Sequence, residues 1–328
     1  MKKIDLAIVG ATGLVGRTFL KVLEEKRLPI SSYTLFASSN SKGKSISFMG
    51  KEYIVQELDE SSFEKHFDYA LFSAGKDVAI KYAPIAVKNG CVVIDNSSAY
   101  RMDDRVPLVV PEVNKEDIFS HNGIIANPNC STIQAMVPLK PLHDKYKIKR
   151  IVYSTYQAVS GAGNLGCVDL ENGIKGISSQ KFPHNIFNNC IPHIDDFIEN
   201  GYTKEEIKMI NETKKILHDD NIKITATCVR VPVFNSHSES INVEFEKEFD
   251  ISDVYKLLSK FPNIIVQDDL SKNIYPLAAN ATGKNEVFIG RIRRDYSVQS
   301  GLNMWVVADN IRKGAATNAV QILEELIK

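Results

Sequence analysis

Apolar positions in the opening 120 residues fall into two alternating kinds of run. Residues 4–9 form a short, mostly apolar block of the kind that strands buried on both faces carry. Residues 14–26 instead place Leu14, Val15, Phe19, Val22 and Leu23 at helical spacing. Further strands are predicted at 33–37, 69–72 and 91–94, with a helix over 77–88. Two short alternating stretches, 45–48 and 53–57, flank Met49-Gly50-Lys51 and predict a hairpin. This strand–helix–strand rhythm predicts a mostly parallel sheet covered on both faces. A last short strand, 123–126, gives way at Asn127-Pro128 to a helical run over 131–146.

Beyond Cys130 the pattern changes. Long alternating strands over 148–157, 222–231, 240–249, 287–293 and 302–307 dominate, with helices over 203–217 and 254–260 between them. An α+β domain on a mainly antiparallel sheet is expected, its broad face available to pair subunits. The run 310–327 carries Ile311, Ala315, Ala319, Ile322, Leu323 and Leu326 at helical spacing, as a final helix packing back onto the first domain would. The boundaries are therefore 1–127 plus 309–328 for the first domain and 128–308 for the second. The stretch Ser160-Gly161-Ala162-Gly163-Asn164-Leu165-Gly166 reads as a mobile loop.

Length and composition narrow the function classes. The chain's 328 residues suffice for two filled cores. Forty basic against forty acidic residues leave no net charge, so no nucleic-acid or acidic-membrane partner is indicated. The start, Met1-Lys2-Lys3-Ile4-Asp5, is too short for a secretory signal, and no apolar run approaches the roughly 18 residues of a membrane span. Five scattered cysteines without a Cys-x-x-Cys pair indicate neither a disulfide framework nor a zinc site, and a reducing cytoplasm is expected.

Gly10-Ala11-Thr12-Gly13-Leu14-Val15-Gly16 follows the first strand and opens the first helix. Such glycines let the backbone approach a pyrophosphate whose charge sits at the helix N-terminus, as in a Rossmann-type dinucleotide-binding domain. The second strand ends in Ala37-Ser38-Ser39-Asn40-Ser41-Lys42, with hydroxyls and a cation but no acid. That composition favours the 2′-phosphate of NADP(H) over the bare ribose of NAD.

Cys130 sits in Asn127-Pro128-Asn129-Cys130-Ser131-Thr132, at the first turn of its helix. Unpaired N–H groups and the helix dipole favour thiolate there, so Cys130 reads as a nucleophile rather than a buried hydrophobe. A thiolate beside a nicotinamide suggests acyl transfer coupled to hydride transfer: a thioester forms, accepts hydride and collapses to an aldehyde. Such a scheme needs a proton shuttle and an oxyanion contact. His237, in the interruption between two long strands, is the candidate shuttle, ahead of His184 and His193.

These motifs, with Asp95-Asn96-Ser97-Ser98-Ala99-Tyr100-Arg101 and Arg230-Val231-Pro232, resemble aspartate-β-semialdehyde dehydrogenase from end to end. The resemblance implies reductive dephosphorylation of L-4-aspartyl phosphate by NADPH, on the route to lysine, threonine and methionine. It implies that Cys130 attacks the acyl phosphate, His237 serves as general acid/base and Gln157 orients the substrate. Arg230 would grip the α-carboxylate and Glu212 the α-ammonium. Lys215 and Arg101 would hold the phosphate, with Asn129 also at the substrate. The cofactor would be met by Gly10, Thr12, Gly13, Leu14, Val15, Ser38, Ser39, Ser73, Gly75, Ser160, Gly161 and Asn310. The second domain would carry catalysis and dimerisation, in a homodimer of the bacterial form. An N-acetyl-γ-glutamyl-phosphate reductase is disfavoured because Arg230 and Glu212 suit a free α-amino acid. A malonyl-CoA reductase is a further alternative, and a non-catalytic NADP(H)-binding paralogue would have no use for Cys130 and His237.

Overall fold

A computed structural model describes residues 3–328; Met1 and Lys2, which open the stretch read above against a secretory signal, lie outside it. The chain divides into two compact units, Met1–Pro128 with Ala315–Lys328, and Asn129–Gly314. Residues 309–314 thus cluster with the second unit, apart from the final helix.

The first unit runs β1 (Asp5–Val9), α1 (Leu14–Lys26), β2 (Ser32–Ala37), β3 (Ser45–Phe48), β4 (Lys51–Ile54), β5 (Gln56–Glu57), β6 (Tyr69–Phe72), α2 (Lys76–Lys88), β7 (Val92–Asp95), α3 (Pro111–Asn114) and β8 (Ile124–Ala126). Its sheet has the order β5-β2-β1-β6-β7-β8, with every pairing parallel. Leu6, Ala7, Ile8 and Val9 are all fully buried, which is why β1 reads as a continuous apolar run. Because β1 lies between β2 and β6, the loops after these three strands open at one carboxyl edge, the switch point where such sheets bind ligands.

The expected hairpin is only half right. β3 pairs with β4 in antiparallel register, Ser45 opposite Ile54. Gln56–Glu57 instead leaves the hairpin and joins β2 as a parallel edge strand. Val55 makes the break: it is buried, and its backbone bonds back to Gly43 and Lys44.

The second unit runs α4 (Cys130–Tyr146), β9 (Ile148–Gln157), α5 (Asn164–Ile174), α6 (Lys204–Leu217), β10 (Lys223–Arg230), β11 (His237–Phe245), α7 (Ile251–Lys260), β12 (Ile264–Val266), α8 (Ala278–Ala281), β13 (Val287–Asp295) and β14 (Gly301–Ala308). Its sheet has the order β10-β9-β11-β14-β13-β12. The three central pairings are antiparallel, and the outer ones, β10 with β9 and β12 with β13, are parallel. Along β9, Ile151, Tyr153, Thr155 and Gln157 are buried on one face, on the side covered by α4 and α6.

Two readings of this unit are corrected. The glycine-rich stretch is no free loop: it forms a 3-10 turn over Val159–Ala162 and then enters α5. β11 starts at His237, three residues before the predicted strand, so that histidine is a strand residue and fully buried.

The last elements are a π-helical segment, Arg312–Thr317, and α9 (Asn318–Leu326). The predicted continuous α-helix is therefore broken at its start. Ala316, Ala319, Val320, Ile322 and Leu323 complete the first unit's core with Leu6, Ile8, Phe19 and Leu23. The Asn318 amide donates to Val109 O at 2.9 Å and to Asn127 Oδ1 at 2.8 Å.

The turn into α1 tolerates no side chain at Gly16, where a Cβ would stand 2.1 Å from the Gly10 carbonyl oxygen. We expect Gly16→Ala to cost about 1–3 kcal/mol of stability, as overpacking does. Urea unfolding would measure it; an unchanged midpoint would show that the turn can shift at no cost.

Candidate active site

Everything at the candidate nucleophile starts from the N-terminus of α4. Cys130 is the first helical residue and half-buried. Asn129 caps the helix, its Oδ1 accepting from Ser131 N at 3.0 Å and Thr132 N at 3.3 Å. Its other polar atoms reach α6: the backbone N–H donates to Glu212 Oε2 at 2.6 Å and Nδ2 to Glu205 Oε1 at 2.8 Å.

Strand register assembles the partners. Gln157 and Arg230 end adjacent parallel strands and lie opposite one another. His237 opens β11, antiparallel to β9, at the same end of the sheet. All three side chains are buried. Gln157 Nε2 donates to Glu205 Oε1 at 3.1 Å, and its Oε1 accepts from Thr155 Oγ1 at 3.0 Å. Arg230 Nη1 donates to Ala158 O at 2.7 Å. Burial works against the guanidinium's charge, while Glu205, Cys130 and Cys228 act in its favour. The Arg230 charge and the Cys130 sulfur therefore feel one another. Gly161 fits between two of these groups: a Cβ there would stand 2.8 Å from Arg230 Nη1 and 3.1 Å from His237 Cε1.

His237 is neutral. Burial, then the charge of Arg230, holds its pKa well below 6.5. Ala158 N donates to Nδ1 at 2.9 Å, which puts the ring proton on Nε2. That Nε2 is buried without a partner, a donor ready for an oxyanion.

The charged helix differs from expectation. Glu212 is buried, and its carboxylate is engaged with the Asn129 backbone. Glu205 is the carboxylate that joins the Gln157 and Asn129 side chains, and Lys208 Nζ lies 3.1 Å from it and 2.6 Å from Asp195. Burial alone would raise the Glu205 pKa, but Lys208 and the amides of Asn129 and Gln157 outweigh it and lower it. Glu205 with Lys208 repeats the spacing of Glu212 with Lys215 seven residues earlier. Two helical turns separate the pairs, so both share a face and spacing alone cannot choose between them. Asp169 is another residue sequence reasoning missed. Its carboxylate accepts from the backbone N–H groups of Gln180, Lys181 and Phe182, holding the Phe182 ring 5.9 Å from the Arg230 guanidinium carbon.

Ser160 and Asn310 are buried and bonded to each other, Asn310 Nδ2 donating to Ser160 Oγ at 3.0 Å. Asn310 Oδ1 also accepts from Ser236 N at 2.9 Å, one residue before His237.

In the first unit, Gly10, Thr12, Gly13, Leu14 and Val15 follow β1, Ser38 and Ser39 follow β2, and Ser73 and Gly75 follow β6. The N-terminus of α1 has no side-chain cap and no acid in its first turn, which leaves its N–H groups for an anion. The acid absent from the loop after β2 is supplied in space: Glu57, paired with Ala37, meets Lys42 Nζ at 3.2 Å. Arg101 is buried in this unit with its guanidinium on the carbonyls of Asn96 and Asn127, both at 3.0 Å. Among the described residues, no His/Cys/Asp/Glu cluster could hold a metal, and no helix is long and apolar enough to cross a membrane.

Two family models match the chain: the semialdehyde dehydrogenase NAD binding domain over residues 5–121 and the semialdehyde dehydrogenase dimerisation domain over 139–313. An aspartate-semialdehyde dehydrogenase of Aquifex aeolicus is 58% identical, over 98% of each chain. The chain belongs to the aspartate-semialdehyde dehydrogenase family. Among solved family structures, aspartate semialdehyde dehydrogenase II of Vibrio cholerae, complexed with ASA, superposes with a TM-score of 0.94 at 47% identity, covering 100% of this chain and 99% of that one. The Candida albicans family member, solved with NADP, gives 0.78 at 27% identity, over 99% of each chain. The α/β fold, with a Rossmann-like first unit and a mixed-sheet second one, is the family's, and a nicotinamide dinucleotide is its cofactor class.

Glu205 ties two amides and a lysine together, so its charge should matter to the site. We expect Glu205→Gln to lower kcat/KM by about 10- to 100-fold, the worth of one charge-assisted hydrogen bond, and Lys215→Ala to change it less. Steady-state kinetics would check both; the reverse ranking would return the role to the later pair.

Proposed function

We propose that the chain catalyses the NADPH-dependent reductive dephosphorylation of L-4-aspartyl phosphate to L-aspartate 4-semialdehyde through a thioester on Cys130. The observation that carries this reading is a half-buried thiol at a capped helix N-terminus, charge-coupled to a buried arginine. A helix N-terminus and a nearby guanidinium both favour thiolate. Cys130 Sγ adds to the acyl carbon, and its carbonyl oxygen becomes an oxyanion. The His237 Nε2–H donates to that oxygen while the C–O bond to phosphate breaks, and again when the thioester is reduced. Collapse of the thiohemiacetal oxyanion returns the electron pair to sulfur and releases the aldehyde.

Arg230 would bind the α-carboxylate. Glu205, rather than Glu212, is the better partner for the α-ammonium, because Glu212 is engaged with a peptide N–H. Arg101, Lys215 and Lys208 are the cations proposed for phosphate, Lys208 being the one paired with Glu205. Asn129 and Gln157 would steer the substrate through their amides.

The bare N-terminus of α1 fits a dinucleotide's pyrophosphate; at the 2′-phosphate we infer the exposed hydroxyls of Ser38 and Ser39, with the acid Glu57 paired to Lys42. Bound NADPH supplies the hydride that the thioester carbon accepts. Gly10, Thr12, Gly13, Leu14, Val15, Ser73, Gly75, Ser160, Gly161 and Asn310 would hold it. A homodimer in the cytoplasm fits the dimerisation-domain match and five cysteines without a disulfide.

Purified protein given NADP, phosphate and aspartate semialdehyde should generate the reduced-nicotinamide absorbance, with arsenate able to replace phosphate. NAD should be the poorer cofactor. Turnover of N-acetylglutamate semialdehyde in place of this substrate would overturn the assignment. Cys130→Ser should abolish turnover and leave NADPH affinity nearly unchanged, read by fluorescence titration; equal loss of both would point to folding.

A further inference from the structure

Glu239 is fully buried two residues after His237 on β11, facing the same side of the sheet, and the chemistry above gives it no role. Both its carboxyl oxygens lack a hydrogen-bond partner, as do Ser131 Oγ and Gln134 Oε1. Ser131 and Gln134 belong to the first turns of α4 and face this carboxyl, near it but without a formed bond. One N–H of Gln134 Nε2 donates to the His237 carbonyl oxygen at 3.3 Å.

Burial without a formed hydrogen bond decides the protonation state. A carboxylate with both oxygens buried and unbonded would be an uncompensated buried charge, which a protein avoids by keeping the proton. A neutral Glu239 has one O–H to donate and one carbonyl oxygen to accept, against the Gln134 amide and the Ser131 hydroxyl beside it. We propose that Glu239 is a neutral carboxylic acid that positions His237 through Gln134 and the Cys130 turn through Ser131.

Electrostatics agrees. Burial pushes the Glu239 pKa well above 4.5, against the smaller opposing pull of Gln134 and Ser131. The titratable neighbours that feel it are Tyr153 on β9 and Cys228 on β10, both pushed up by burial and neutral. Glu205 and Glu206 of α6 reach the same Cys228. On its own strand His237 is neutral, and α4 presents an amide and a hydroxyl. The sheet neighbours in register with Glu239 are Thr155 and Val306. None of these groups would hold a negative charge in place.

The inference rests on the role given to Cys130 and His237, and its test has an arm independent of activity. Glu239→Gln keeps one donor and one acceptor, and should retain kcat within about threefold; Glu239→Leu removes both and should lower kcat about tenfold or more, with KM nearly unchanged, the loss expected for a broken buried hydrogen-bond set. A Gln variant as impaired as the Leu variant, or a Leu variant with full kcat, would overturn the proposal. The second arm is stability against pH. Above about pH 4.5 the unfolded chain releases this proton and the native state keeps it, so wild type loses stability as pH rises toward the folded pKa. Glu239→Gln escapes that loss, and its unfolding constant relative to wild type should improve by up to about tenfold per pH unit between pH 5 and 8. A flat or narrowing difference would show an ionised Glu239 and overturn the proposal even if Glu239→Leu does not fold. Failure of the proposed reaction with an intact pH response would leave the neutral acid standing and remove the catalytic reading.

Discussion

The candidate site depends on one residue that does no chemistry, Asn129. Its side-chain oxygen closes the first turn of α4, its amide holds Glu205, and its backbone N–H is held by Glu212. A helix N-terminus leaves its first N–H groups unpaired. Satisfying them from a single side chain, itself anchored to a second helix, fixes the sulfur of the next residue in place. Strand register then brings Gln157, Arg230 and His237 to one sheet end, and Glu205 links that end back to Asn129 through Gln157.

Charge in this site is balanced by burial as much as by pairing. Glu205 stays ionised because Lys208 and two amides offset its desolvation. His237 goes the other way: burial and Arg230 keep it neutral, so its Nε2–H can donate a hydrogen bond without the ring first acquiring a proton. Glu239, whose pKa burial pushes up, is the carboxyl proposed to stay neutral. Three buried titratable groups in one region thus take three different routes, set by what each touches.

Much of this was legible beforehand where a local rule governs. A strand buried on both faces must be apolar throughout, so β1 showed as a block, and a glycine turn ahead of an amphipathic helix announced the mononucleotide half of the sheet. Cys130 stood out because a proline, a capping asparagine and a helix start follow fixed local chemistry. Legibility ended where distant contacts compete. Glu57 belongs to a parallel edge strand rather than to the hairpin, since β2 offered an unpaired edge that periodicity cannot reveal. The π-helical start of the last helix likewise leaves no mark on its apolar spacing.

Sequence by itself determined the alternation of elements, the glycine turn, the capped cysteine and the family to which they point, because each is written within a few consecutive residues. Only tertiary structure chose Glu205 over Glu212 as the partner of Gln157, and only it showed which nitrogen of His237 carries the proton. Two residues seven apart on a helix face the same way, and a side chain's charge depends on neighbours brought from other strands. Neither fact is contained in the order of amino acids along one segment.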